Sequence, residues 1–204
     1  MGNIFYYKGD LPPEIQFKDS IAVDTETMGL DLHRDRLCLV QIGDGKGNAY
    51  LVHIQPDTEP KNLKALLTDP AILKIFHFAR FDVGKLKADL HIDCAPVYCT
   101  KIASKLFRPS QEKHSLKVLC AQHLGITLNK EQQMSDWGVA ELSEEQKEYA
   151  AGDVLYLHAL KEKMDELLKR EGRYELALKC FSFLNTRADL DLIGLDDPDI
   201  FAHH

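Results

Sequence analysis

Two acidic residues stand two positions apart in the apolar run Ile21-Ala22-Val23-Asp24-Thr25-Glu26. Alternate residues of a strand share a face, so Asp24 and Glu26 point the same way. Paired acids on a strand are most often a solvated face. These two instead close an apolar run ahead of Gly29, and ligand sites in α/β sheets favour the C-terminal ends of strands. A third acid, Asp82, follows a buried run in His77-Phe78-Ala79-Arg80-Phe81-Asp82. Alone, Asp82 reads as a first-turn acid facing a helix dipole, and His77 as a core histidine. Asp153 says more. It lies four residues after Tyr149, on the apolar face of a helix, with no Lys or Arg three or four positions to either side. An uncompensated carboxylate there costs several kcal/mol, roughly. Gly152 beside it costs ~1 kcal/mol in a helix interior, which predicts close approach by another backbone or a ligand.

Four acids from three elements can meet at one place only if something offsets their repulsion, since carboxylates ionise near pH ~4. Hard divalent cations bound by oxygen do so, and Mg²⁺ or Mn²⁺ is the natural choice. Two such ions about 4 Å apart activate water and stabilise the leaving oxygen of a phosphodiester.

The elements that must carry these residues follow from periodicity. Strands are predicted over 21–26, 37–42 and 49–54, with the turn cluster 43–48 between the last two. A helix near 60–67, the Asp69-Pro70 break and a buried strand near 73–78 come next. Helices follow near 80–89, 100–107 and 115–124. One long helix is predicted over 144–170, with Ser143 and Gln146 as its capping box and Gly172 at its end. Tyr149, Tyr156, Leu160, Met164 and Leu167 mark its apolar face. A last helix over 173–184 precedes an acidic, apolar tail ending Asp199-Ile200-Phe201-Ala202-His203-His204. Without repeats or linkers, residues 1–204 read as one α/β domain with a helical C-terminal half.

Composition narrows the class. Of 204 residues, 45% are hydrophobic and 28% charged, too apolar for a disordered chain. No apolar run approaches the ~20 residues of a membrane helix, and the N-terminus lacks a signal pattern. Five scattered cysteines without a C-x-x-C pair read as reduced thiols of a cytoplasmic protein. A net charge of −7 is the wrong sign for gripping long nucleic acid through many phosphates. A short substrate held by metal ions and a few local contacts remains compatible, and Lys101, Lys105 and Arg108 form a local basic cluster.

Asp24-Thr25-Glu26-Thr27 with Gly29-Leu30, His77-x-Ala79-Arg80-Phe81-Asp82, and Tyr149-x-x-x-Asp153 together resemble the three exonuclease motifs of the DEDD superfamily, over roughly 20–165. The tyrosine is that of the DEDDy branch, beside ribonuclease D. His33 to Cys38, Cys99 to Leu106, Ser135-Asp136-Trp137 and the ending Asp199 to His203 resemble the nano-RNase C family. The resemblance implies a ribonuclease H-like fold, a central mixed sheet with flanking helices. It also implies a 3′-to-5′ exoribonuclease that cleaves very short RNA, chiefly dinucleotides, to 5′-monophosphates with two divalent ions. Asp24, Glu26 and Asp153 would hold the inner ion, Asp24 would bridge to the second, and Asp82 would support that one. Tyr149 would orient the attacking water. Leu30 would wedge between bases, and the Thr25 and Met28 backbone would line the 3′ nucleotide. His77 and Arg80 are assigned to substrate, with Arg80, Lys101, Arg108 and His114 as candidates for the 5′ phosphate. Ring-shaped octamers are the assembly it implies. Rival readings are a processing exonuclease for longer or structured RNA or DNA ends, an inactive nucleic-acid binder, and a small-molecule phosphohydrolase.

Overall fold

The β-branched and aromatic runs of the first half assemble into a mixed six-stranded sheet. The structure, a computed structural model, describes residues 2–56, 58–128, 132–195 and 200. The strands are β1 (Ile4–Lys8), β2 (Ser20–Thr27), β3 (Leu37–Gly43), β4 (Ala49–His53), β5 (Leu73–Phe76) and β6 (Val97–Cys99), in the order β1-β4-β3-β2-β5-β6. The pairs β2–β3 and β3–β4 are antiparallel, as expected of a meander. The pairs β2–β5, β5–β6 and β1–β4 are parallel. β2 therefore sits inside the sheet with a neighbour on each side, a rigid mount for Asp24 and Glu26. β3 is buried along its whole length, which matches its unbroken apolar run.

Two strands lie outside the predicted set. β1 is an edge strand, largely exposed, and its sequence lacks the alternation that marks a half-buried strand. β6 has three residues, too few to show a period.

The helices are α1 (Lys61–Thr68), α2 (Ala79–Leu90), α3 (Thr100–Phe107), α4 (Leu116–Leu124), α5 (Glu144–Leu155), α6 (Leu157–Arg170), α7 (Tyr174–Ser182) and α8 (Leu184–Leu192). The expected single helix 144–170 is two helices, because Tyr156 leaves helical geometry at φ −107° and ψ −2°. Packing explains the break. α5 covers β3 and β4, while α6 lies against α3 and α4, so the halves bury their faces against different partners. Tyr149 joins a small cluster with Trp137, Leu39 and Leu51, whereas Leu160 and Met164 join the main core. The predicted helix 173–184 likewise divides at Phe183, and α8 continues to Leu192, packed on α2. The tail segment Asp199 to His204 lies outside the described residues apart from Ile200.

The capping box forms as expected. Ser143 Oγ accepts from the Gln146 backbone at 3.2 Å, and Gln146 Oε1 accepts from the Ser143 backbone at 3.0 Å. Gln146 Nε2 also donates to Ser135 Oγ and to the Asp136 carbonyl, each at 3.0 Å, which ties the 135–137 loop to α5. No other backbone closes on Gly152: a Cβ there meets no protein atom within 4 Å. The tight approach is at Gly43, where a Cβ would sit 2.8 Å from the Val154 carbonyl. Glycine at β3, and not on α5, is what lets α5 settle onto the sheet.

Candidate active site

Asp24 and Glu26 emerge on one face of β2, and α5 crosses that face to bring in Asp153. Ligand oxygens of these three acids lie within 4.8 Å of one another. The fourth acid is positioned differently. Asp82 stands in the first turn of α2. Its Oδ1 accepts from Thr25 Oγ1 at 2.6 Å. Thr25 lies between the two strand acids in sequence, so its side chain points to the opposite side of β2.

The electrostatics are those of acids forced together. Burial, then the charges of Asp82, Asp153 and Glu26, hold the Asp24 carboxyl well above the usual carboxylate range. Burial and the charges of Asp153 and Asp82 push Glu26 up to about 9. Burial raises Asp82 to about 7, with hydrogen bonds from Thr25 opposing the rise. Tyr149 reaches the same acids and hydrogen-bonds Asp153. Burial first, and then the charges of Asp153, Glu26 and Asp24, raise its phenol and keep it protonated. An all-oxygen set of like charges, part-buried and mutually repelling, fits a hard divalent cation.

These five residues line one cleft of about 570 Å³. Its rim is apolar and exposed: Leu30 is 84% accessible, with Met28 and Met134 beside it. Phe78 adds to the rim from a left-handed backbone (φ 72°, ψ 42°) that ends the β5 segment two residues early and starts α2. A bulky residue seldom holds that conformation, and such strain gathers at functional sites. Lys101 lines the cleft with its Nζ 4.0 Å from the centre of the Phe78 ring. His77 lines it too. Its Nδ1 lies 2.9 Å from Thr100 Oγ1, which donates to the Phe76 carbonyl at 3.1 Å. The Thr100 proton being so used, His77 Nδ1 is the donor to Thr100.

Three sequence candidates sit elsewhere. Arg80 forks onto Asp191 of α8 with two bonds of 2.7 Å and is outside the cleft lining. Arg108 is exposed and bonds Gln111. His114 is buried against Ser104 Oγ at 2.8 Å. Sequence reasoning passed over the Thr25 hydroxyl, Lys117 on the cleft wall, and the Trp137 ring, 6.0 Å from that of Tyr149. Strand alternation alone carried the signal for Thr25. Trp137 was marked only through the Ser135-Asp136-Trp137 resemblance, and Lys117 carried no signal.

Comparison with known proteins agrees with this geometry. Residues 10–169 match a family model described as a 3′-5′ exonuclease. The chain is 28% identical over 168 residues to ribonuclease D of Granulibacter bethesdensis, covering 82% of this chain and 42% of that one. It is 36% identical over 148 residues to DNA polymerase I of Aquifex aeolicus, covering 72% of this chain and 24% of that one. The chain thus spans less than half the length of these curated relatives. Among solved structures, Brucella melitensis NrnC bound to pGG superposes with a TM-score of 0.95 at 46% identity, covering both chains fully. Escherichia coli RNase D, an exoribonuclease involved in structured RNA processing, gives a TM-score of 0.74 at 27% identity, over 84% of this chain and 45% of that one.

Proposed function

We propose that this chain, which belongs to the 3′-5′ exonuclease family, is an exoribonuclease specialised for very short RNA, chiefly dinucleotides. The observation that carries the reading is the convergence of Asp24, Glu26 and Asp153 beneath a single cleft rimmed by Leu30. Full-length likeness to a nuclease solved with pGG, a 5′-phosphorylated dinucleotide, favours the short substrate. Asp24, Glu26 and Asp153 would hold one Mg²⁺ or Mn²⁺ ion, with Asp24 and Asp82 serving a second. Such ions, when bound, supply Lewis acidity and an acidified water for phosphodiester hydrolysis.

The chain's own groups do the rest. Tyr149 stays a phenol at neutral pH and can donate to or orient the attacking water. Leu30, exposed at the rim, has an apolar face to offer between bases, and the Met28 and Thr25 backbone lies beside it. Lys101 and Lys117 bring positive charge to the cleft wall that His77 also lines, and Lys101, beside Phe78, is assigned to the 5′ phosphate. Arg80, held by Asp191, is assigned instead to fixing α8 on α2.

The exposed Leu176, Leu178, Phe183 and Ile193 of the C-terminal helices and the turn beyond them favour a homo-oligomer, which light scattering would read directly. All five cysteines are free thiols, in keeping with a cytoplasmic setting. Among the described residues, no helix is long and apolar enough to cross a membrane.

The test is a rate comparison between a 5′-phosphorylated dinucleotide and a heptamer at two salt concentrations. A site closed around two nucleotides favours the dinucleotide with a shallow salt slope. Faster turnover of the heptamer, with a steep slope, replaces this reading with a ribonuclease D-like processing enzyme.

A further inference from the structure

The proposed metal site accounts for the acids but leaves one buried polar side chain beneath them without a role. Gln41 is the single polar residue in the apolar run Leu37-Cys38-Leu39-Val40-Gln41-Ile42 of β3, and it is fully buried. Its cross-strand partner is Asp24 on one side and Leu51 on the other. Residues paired this way in antiparallel strands share a face, so Gln41 lies on the side of the sheet that carries the acids, under α5. Its Nε2 lies 3.4 Å from Glu26 Oε1, diagonal to it across the strands. Its Oε1 has no hydrogen-bond partner among the described residues.

A core position that needed only filling would take Leu or Met and avoid burying an unmatched acceptor. We infer that Gln41 is a positioning residue for the metal site: its amide holds one oxygen of Glu26 so that the other faces Asp24 and Asp153. The choice of an amide has a physical reason. A lysine in this place would pair with Glu26 and neutralise the negative charge that the acids otherwise offer to a cation. An amide orients the carboxylate and leaves its charge available. Partners that orient a metal ligand in this way typically carry 10–100-fold in metal affinity.

The inference rests on the metal reading above, and calorimetric titration of the full chain with Mn²⁺ separates the two. The unmodified protein should bind Mn²⁺, and Glu26→Gln should weaken that binding greatly while leaving it measurable at high Mn²⁺; if it does not weaken, the ions bind elsewhere and the metal reading itself fails. With that established, Gln41→Met, apolar and of similar volume, should weaken Mn²⁺ about 10-fold or more. Its metal-free melting temperature should stay within a few degrees of the unmodified value. In the Glu26→Gln background the same change should add nothing, since Gln41 acts through Glu26. Unchanged Mn²⁺ affinity in folded Gln41→Met, or equal weakening in both backgrounds, overturns the assignment. Should Gln41→Met fail to fold, Gln41→Asn keeps an amide too short to reach Glu26 and must show the same loss. Failure of both to fold marks Gln41 as a core residue and also overturns it.

Discussion

Thr25 and Asp82 meet at 2.6 Å, hydroxyl donor to buried carboxyl, and this contact fastens α2 to β2 at the acid cluster. The hydrogen bond favours the ionised form of an acid that burial pushes toward neutrality. Thr25→Val keeps the shape and removes the donor. Stability should fall by about 1–2 kcal/mol. The acid limb of the activity profile should move to higher pH as Asp82 becomes harder to ionise. Denaturant titration and a pH–rate series check both. A profile that does not move would make Thr25 a packing residue only.

Asp24→Asn should abolish turnover and yet leave a folded chain. The amide cannot supply the carboxylate that two ions would share, and it also relieves repulsion among the acids. The metal-free melting temperature at pH 8 is therefore expected to rise, because Asp24 is held above its ordinary range by burial and by its neighbours. Circular dichroism melts and a nuclease assay read the two effects together. Near-normal activity would refute the assignment of Asp24.

Without metal, the protein should lose stability as pH rises. Glu26 is raised from 4.5 to about 9 and Asp82 from 3.8 to about 7. Between those limits the folded chain retains protons that the unfolded chain has released, so unfolding becomes more favourable with each step upward in pH. Melting temperatures in chelator from pH 5 to pH 9 should decline. Added Mg²⁺ or Mn²⁺ should flatten the decline, since ions bind the native cluster and not the unfolded chain. A metal effect that survives Asp153→Ala would put the ions elsewhere.

Tyr149→Phe preserves the ring against Trp137 and deletes only the hydroxyl. We expect kcat to fall by ~10²-fold or more with little change in KM, the pattern of a group acting in the transition state. Steady-state kinetics decides. Unfolding of the variant would show instead that the Tyr149–Asp153 bond is structural.

What was legible in the sequence was what local periodicity encodes. Period 2 put Asp24 and Glu26 on one face, and helical spacing joined Tyr149 to Asp153. The capping box at Ser143 is a local pattern and formed as one. What depended on distant partners stayed hidden. The helix break at Tyr156 has no Pro or Gly to announce it, because it arises where α5 leaves the sheet and α6 takes other helices as partners. Arg80 sits inside a motif, yet its guanidinium goes to Asp191, 111 positions away. Gly152 stood beside Asp153 and drew attention, while the backbone contact was being made at Gly43.

The most direct measurement is the product analysis of pGG incubated with the protein and Mg²⁺. Cleavage of the P–O3′ bond by water converts each molecule into two of 5′-GMP, and the account predicts only that product, lost on chelation and lost in Asp153→Ala. Release of free guanosine together with a 5′-phosphorylated nucleotide that ends in a 2′,3′-cyclic or 3′-phosphate, or cleavage that persists in chelator, would contradict it.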